Sequence, residues 1–477
     1  MPRFEDADFG VDAAPRDPRP SDAQAALSPR EGRHPSGQVI PAEGGGTLEI
    51  PASRSSLGAA SAMMHHLSIQ PSMRDRRGSR NSFGTSLPIP RSPRMSRLSR
   101  SSRPSVVRRD ILAGQVQSMQ SELVEKVKNM AFAFDIDGVL AHGNEAIEEA
   151  KVALRILNGD NELGIQFPYI LLTNGGGKTE EARCAQLTEV LGHPISTDQF
   201  IQSHTPMQAL SEYYDNVLVL GGEGFKIRDV AEQYGFKNVI HPKDIVAWDP
   251  TISPCRRFTE EDKKLARPRD FSNFKFDAIL YFAESYDQMT DFQIISDLLN
   301  SDNGQLLTRA TKDQDHIPIY FSQGDLLCPT EHKGPPRLHL GAIRLAVEAH
   351  YKAVSGKELE RTLYGKPERA TYIYADEVLA AWMEELYGEK KLPKNIYMVG
   401  DNPASDIIGG NMYGWNTCLV RTGVFQGGEN DELNPANFGV FPHVLEAVKA
   451  ALAKELGPDF KLKWDPRNAA TSGSAIE

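Results

Sequence analysis

The chain has 477 residues, 40% of them hydrophobic and 25% charged, with a net charge of −11, an ordinary balance for a globular protein with room for two or three domains. No uninterrupted apolar stretch approaches the roughly 18 residues of a membrane span, so no integral membrane segment is expected. Charge is unevenly divided: residues 1–109 carry seventeen arginines against ten acidic residues, about +7, which leaves about −18 for an acidic body that would repel a nucleic-acid backbone.

Residues 1–115 are rich in Pro, Ser, Gly and Arg without any sustained apolar period, as in "SRNSFGTSLPIPRSPRMSRLSRSSRPS". Too little apolar surface is available there to offset the entropy of ordering, and a disordered tail is expected. Three readings of this tail stay open. It is a solvated extension, a regulatory tail phosphorylated by basic-directed kinases at sites such as Arg77-Gly78-Ser79 and Ser92-Pro93, or a targeting segment. The acidic beginning "MPRFEDADFGVD" argues against an organellar presequence, whereas a start at Met63 or Met64 would give an Arg- and Ser-rich, acid-poor one.

A helix is predicted at "ILAGQVQSMQSELVEKVKN", and from there the chain alternates. "MAFAFDIDG", "YILLTN", "NIYMVGDN" and "NTCLVRTGVF" are short apolar runs ending in polar or glycine residues, most of them followed by helical patterns. Such runs mark the strands of a parallel sheet buried on both faces. Between the second and third lie further strand candidates, "NVLVLGG", "FDAILYFA" and "PIYFSQ", interleaved with the helical "GFKIRDVAEQYG" and "MTDFQIISDLLNS". They are too many for one loop, so an inserted α/β domain is expected over 210–345, dividing a core of 128–209 and 346–455, with a C-terminal tail over 456–477. The charged run "RRFTEEDKKLARPRD" reads as an exposed insertion in that domain. His204, His241, His316 and His339 show no ligand spacing. The four cysteines, Cys184, Cys255, Cys328 and Cys418, lack C-x-x-C spacing and read as reduced structural thiols, which points to an intracellular compartment.

Chemistry is concentrated at the ends of the apolar runs, where parallel α/β folds place their ligands. These ends give Asp135-Ile136-Asp137-Gly138-Val139, then Thr173-Asn174-Gly175-Gly176-Gly177-Lys178, then Gly400-Asp401-Asn402, with Asp406 five residues beyond Asp401; Gly365-Lys366-Pro367 lies between the second and third. "NGGGKT" has the look of a nucleotide-binding P-loop, but the first glycine of G-x-x-x-x-G-K-[ST] is replaced by Leu172. "VLVLGGEGF" likewise lacks the full G-x-G-x-x-G and reads as a turn. Lys178 reads as a solvated residue in the first turn of a helix.

In this order and at these element ends, D-x-D-G-V, L-T-N, G-K-P and G-D-N-x-x-x-D resemble the haloacid dehalogenase (HAD) superfamily of aspartate-nucleophile phosphohydrolases, over residues 128–455. The position of the insertion and the form "GKP" are similar to its class IIA branch. "TNGGG", "QSHTPMQAL" and "RTLYGKP" are most similar to the cat eye syndrome critical region protein 5-like group. The resemblance implies an α/β fold, a Rossmann-like core with an inserted C2-type cap. It also implies Mg²⁺-dependent hydrolysis of a small phosphorylated metabolite. Asp135 would be the nucleophile that forms an aspartyl phosphate, and Asp137 the acid and base that protonates the leaving alkoxide and then activates water. Lys366 would neutralise the nucleophile and the transferring oxygens. Thr173, Asn174 and Gly175 would hold the phosphoryl group. Asp135, Asp401 and the backbone carbonyl of Asp137 would ligate Mg²⁺, with Asp406 orienting the metal-bound waters or the lysine. The usual "TNPD" segment of class IIA caps appears as Ser322-Gln323-Gly324-Asp325, so cap contacts to substrate do not carry over. A phosphotransferase, a non-catalytic interaction protein, a homo-oligomer, and a mitochondrial or cytoplasmic location all stay open.

Overall fold

The computed structural model describes residues 113–458, except 256, 257, 268 and 329–335, together with residue 460; its side chains are described from residue 121 onward. The expectations for the N-terminal tail lie outside these residues, save that the helix Ala113–Lys128 begins two residues before the expected 115 boundary.

The chain lays down β1 (Met130–Phe134), β2 (Tyr169–Leu172) and β3 (Phe200–Ile201), and then builds a separate sheet. That sheet comprises β4 (Asn216–Gly222), β5 (Asn238–Ile240), β6 (Ala278–Ser285), β7 (Ile319–Phe321) and β8 (Thr362–Leu363). It returns to the first sheet with β9 (Asn395–Gly400), β10 (Asn416–Val420) and β11 (Gly439–Phe441). The core sheet has the order β11-β10-β9-β1-β2-β3, and the inserted sheet the order β8-β7-β6-β4-β5. Every pairing in both is parallel.

In β1, Phe132 and Phe134 enter one core cluster while Ala131 and Ala133 enter another on the opposite face. This period of two, with both faces apolar, is what a central parallel strand requires. The small alanines leave room for Tyr372, Leu379 and Trp415, whereas the phenylalanines meet Tyr169 and Tyr397. Because β1 pairs with β2 on one side and β9 on the other, the winding reverses at its C-terminal end. A crevice opens at such a switch point.

The inserted sheet reaches past the 345 boundary expected from the sequence. Leu340, Val347 and Tyr351 of the helix Leu340–Ser355 are buried in its apolar cluster, and β8 pairs with β7 beyond that helix. The charged run is also better anchored than expected. Thr259 and Asp262 form a capping box at the start of the helix Glu260–Leu265, and Asp262 pairs with Lys243 at 2.6 Å. Three of the four histidines noted above, His204, His241 and His339, are buried. All four cysteines are free thiols. Among the described residues, no helix is long and apolar enough to cross a membrane.

A buried acid in the inserted domain gives a pH test. Burial pushes the Asp291 carboxyl up to about 7, against a hydrogen bond from Ser285 that works the other way. A folded-state value raised above the ordinary one means that the contribution of this group to stability is present below about pH 4 and is lost as pH rises through 7. Asparagine cannot ionise. The melting temperature of Asp291→Asn is therefore expected to gain on the parent progressively from pH 4 to 7, and then to hold a constant advantage. A gap that does not change with pH would show that the carboxyl ionises freely.

Candidate active site

The register of the core sheet brings three strand ends side by side. Phe134 of β1 lies opposite Leu171 of β2 and Val399 of β9, so Asp135, Thr173 and Asp401 leave the sheet at the same edge. The Asp135 N–H still donates to the Val399 carbonyl at 3.0 Å. All three side chains are buried.

Lys366, only 1% exposed, joins this edge from the far end of the inserted domain. Its Nζ lies 2.6 Å from Asp135 Oδ1 and 2.6 Å from Asp406 Oδ1. The other Asp406 oxygen accepts the N–H groups of Asp401 (3.1 Å) and Asn402 (3.0 Å). Asp406 thereby fixes the lysine and the Asp401 loop together. Asp401 Oδ2 accepts the Val424 N–H at 2.6 Å.

Asp135, Asp401 and Asp406 each offer a carboxylate oxygen within 4.8 Å of one another. Three carboxylates against one ammonium leave two uncompensated negative charges, the charge that one divalent cation neutralises. Their crowding shifts the pKa values of these groups. Burial, with Asp135 and Asp406 beside it, pushes Asp401 well above the usual carboxylate range. Burial raises Asp135 to about 7 although Lys366 opposes it. Burial works against the Lys366 charge, but Asp135 and Asp406 outweigh it and hold the ammonium protonated. The donor set therefore suits a hard cation with oxygen ligands. The Asp137 carboxylate stands outside this cluster, with Oδ2 3.8 Å from Arg183 Nη2.

The phosphoryl-binding residues expected from the sequence divide in the structure. Thr173 Oγ1 accepts the Gly175 N–H at 2.9 Å and so curls the loop. The Asn174 carboxamide is engaged elsewhere. It donates to the Lys366 carbonyl (2.9 Å) and to Asp325 Oδ2 (2.8 Å), and accepts the Lys366 N–H (2.7 Å). What Asn174 can offer a phosphoryl group is consequently its backbone. Lys178 lies before the helix Glu180–Leu191, which is capped by Thr179, and its Nζ donates to Gln186 at 2.8 Å.

Two of the three glycines face the inserted domain. A Cβ on Gly176 would come within 2.6 Å of the His204 ring and 3.1 Å of the Phe282 carbonyl; one on Gly177, at φ +92°, would meet the Ala283 Cβ at 3.2 Å. Phe282 and Ala283 belong to β6. The glycine run thus lets the inserted sheet lie directly against the loop.

The sequence reading did not find the cap residues at the site. Asp325 holds Asn174, and burial pushes its carboxyl up to about 6. Beside it, Gln323 donates to Glu284 at 3.1 Å, and Glu284 also contacts His339. Burial lowers the His339 pKa, but the Glu284 carboxylate outweighs it and leaves the imidazole above its usual value. The displaced "TNPD" segment was the available signal.

Residues 132–237 match the haloacid dehalogenase-like hydrolase family and residues 363–447 the related HAD-hydrolase-like family. A mitochondrial hydrolase of Saccharomyces cerevisiae is 41% identical over 350 residues, which cover 69% of this chain and 96% of the yeast protein. The chain belongs to the haloacid dehalogenase-like hydrolases. A cardiolipin synthase (CMP-forming)/mitochondrial hydrolase fusion protein of Schizosaccharomyces pombe is 40% identical over 339 residues, 71% of this chain. This HAD-like hydrolase spans only 55% of that fusion protein's length. A solved 4-nitrophenylphosphatase of Thermotoga maritima aligns with 68% of this chain and 98% of its own, at a TM-score of 0.43 and 18% identity.

Proposed function

We propose that this HAD-like hydrolase is a Mg²⁺-dependent phosphatase of small phosphate monoesters that works through an aspartyl phosphate. The observation that carries the reading is the buried arrangement of Asp135, Asp401 and Asp406 around a single ammonium, which is two positive charges short of neutrality. Asp135 and Asp401, with the Asp137 backbone carbonyl, would hold the ion. A bound Mg²⁺ supplies the charge that lets an anionic phosphoryl group approach an anionic nucleophile.

The chain's own residues divide the remaining work. Asp135 Oδ attacks phosphorus and the ester bond breaks toward the leaving oxygen. Asp137, whose carboxylate stands clear of the cluster, delivers a proton to that oxygen and afterwards takes one from the water that attacks the aspartyl phosphate. The Lys366 ammonium balances the nucleophile and the transferring oxygens. Thr173 and the backbone of Asn174 and Gly175 cradle the phosphoryl group. Asp325, through its hydrogen bond from Asn174, ties the cap to this loop. The names of the two fungal relatives support a mitochondrial setting.

The test is phosphate release by the purified protein from a panel of phosphorylated sugars, glycerols, nucleotides and cofactors, with Mg²⁺ and with EDTA. Release that depends on Mg²⁺ and saturates with at least one monoester is expected. No release from any member, with the metal bound, would overturn the reading.

A further inference from the structure

Behind the glycine run lies a second layer of polar contacts that the hydrolytic chemistry does not use. Residues 202–205 run along the back of the loop. The Ser203 N–H donates to the Gly175 carbonyl at 3.2 Å, the Gln202 carboxamide donates to the Lys178 carbonyl at 3.0 Å, and the Gly177 N–H donates to His204 Nε2 at 3.1 Å. His204 is completely buried.

These contacts determine the tautomer. Nε2 accepts the Gly177 N–H, so in the neutral ring the proton sits on Nδ1. Nδ1 lies 2.7 Å from the Tyr234 hydroxyl, and that hydroxyl in turn donates to Glu180 Oε1. Glu180 Oε1 also accepts the Thr205 hydroxyl at 2.7 Å. Burial lowers the His204 pKa to about 4 and outweighs the Glu180 carboxylate, which acts the other way, so the imidazole is neutral near pH 7. Tyr234 terminates a helix of the inserted domain, Lys226–Gln233, and Phe282 of β6 stacks on the imidazole at 5.1 Å between ring centroids and 17° between planes. The chain of bonds therefore runs from the cap, through one imidazole, to a backbone N–H of the loop.

We propose that His204 is a positioning residue through which the cap sets the conformation of the phosphoryl-cradling loop. Tyr234 accepts the Nδ1–H and so fixes the ring orientation in which Nε2 holds the Gly177 N–H. The inference rests on the reading of residues 173–177 as the phosphoryl cradle, and it adds a cap-borne control that touches no substrate. Tyr234→Phe tests it with the loss of one oxygen. Without that acceptor the buried Nδ1–H has no partner, and the ring is no longer held in the one orientation that presents Nε2 to the Gly177 N–H.

The experiment is hydrogen exchange of the backbone of residues 175–178, followed by mass spectrometry on the full-length protein without substrate, together with steady-state kinetics on whichever monoester the panel identifies. In Tyr234→Phe, exchange is expected to accelerate about tenfold, with KM rising several-fold while kcat stays within about twofold. His204→Gln, whose carboxamide oxygen can still accept the Gly177 N–H, should retain more protection than His204→Ala. A lower melting temperature with exchange and KM unchanged would mean simple packing, and would overturn the proposal. Exchange needs no catalysis. A parent protein that releases no phosphate yet shows this exchange pattern overturns the hydrolytic reading and supports the brace.

Discussion

Asp135→Asn is expected to fold like the parent and to lose turnover by at least about 10³-fold, the scale on which removal of one major transition-state element acts. The amide is nearly isosteric, so the 2.6 Å contact with Lys366 Nζ can persist through its carbonyl oxygen. It cannot form an acyl phosphate, and it removes one charge from the carboxylate cluster. Stability is expected to rise or stay level, because burial already raises the Asp135 pKa and a neutral group suffers no such penalty. Single-turnover phosphate release and a thermal melt check both halves. Activity within tenfold of the parent would remove Asp135 from the role of nucleophile.

The second large effect concerns the cation. Mg²⁺ should raise the melting temperature of the parent protein, since an ion that binds only the folded state stabilises it, by about 2.7 kcal/mol at one hundred times Kd. Asp401→Ala should abolish that rise. Without Mg²⁺ the variant is expected to be no less stable than the parent, because the lost carboxylate is one that burial and two neighbouring carboxylates disfavour. This opposite behaviour in the two conditions separates a ligand from an ordinary buried residue. Ca²⁺ is expected to bind the parent and to support little turnover, since its looser coordination misplaces the phosphoryl group. Equal Mg²⁺ affinity of parent and variant by isothermal calorimetry would show that Asp401 is not a ligand.

The central strands were legible because their pattern is local. Met130–Phe134 and Tyr169–Leu172 are uninterrupted apolar runs, Asn395–Gly400 and Asn416–Val420 are apolar after a polar start, and each of the first three is followed by a polar residue that the register sets beside the others. The edge strands Phe200–Ile201, Thr362–Leu363 and Gly439–Phe441 were not legible, since two or three residues hold too little periodicity to stand out from a loop. The cap's contribution to the site was hidden for another reason. Asn174 meets Asp325 across 151 positions, and Glu284 meets His339 across 55. A polar side chain in a loop gives no sign of what it will face until the topology brings its partner. His204 carries the same lesson. As a lone histidine without ligand spacing it has no local signature, although it touches the most distinctive glycine run in the chain.

Lys366 is attached to the inserted sheet as much as to the core. β8 ends at Leu363, Tyr364 donates its N–H to the Phe321 carbonyl of β7 at 2.9 Å, and only Gly365 separates that bond from the lysine. Two residues of chain span at most about 7 Å, too short a tether to absorb a rocking motion of the sheet. Were the inserted sheet to move outward, it would therefore draw the ammonium away from Asp135. On the proposed mechanism, admission of substrate and the lysine's hold on the nucleophile would then be one mechanical event, and an opened site would be a disarmed one.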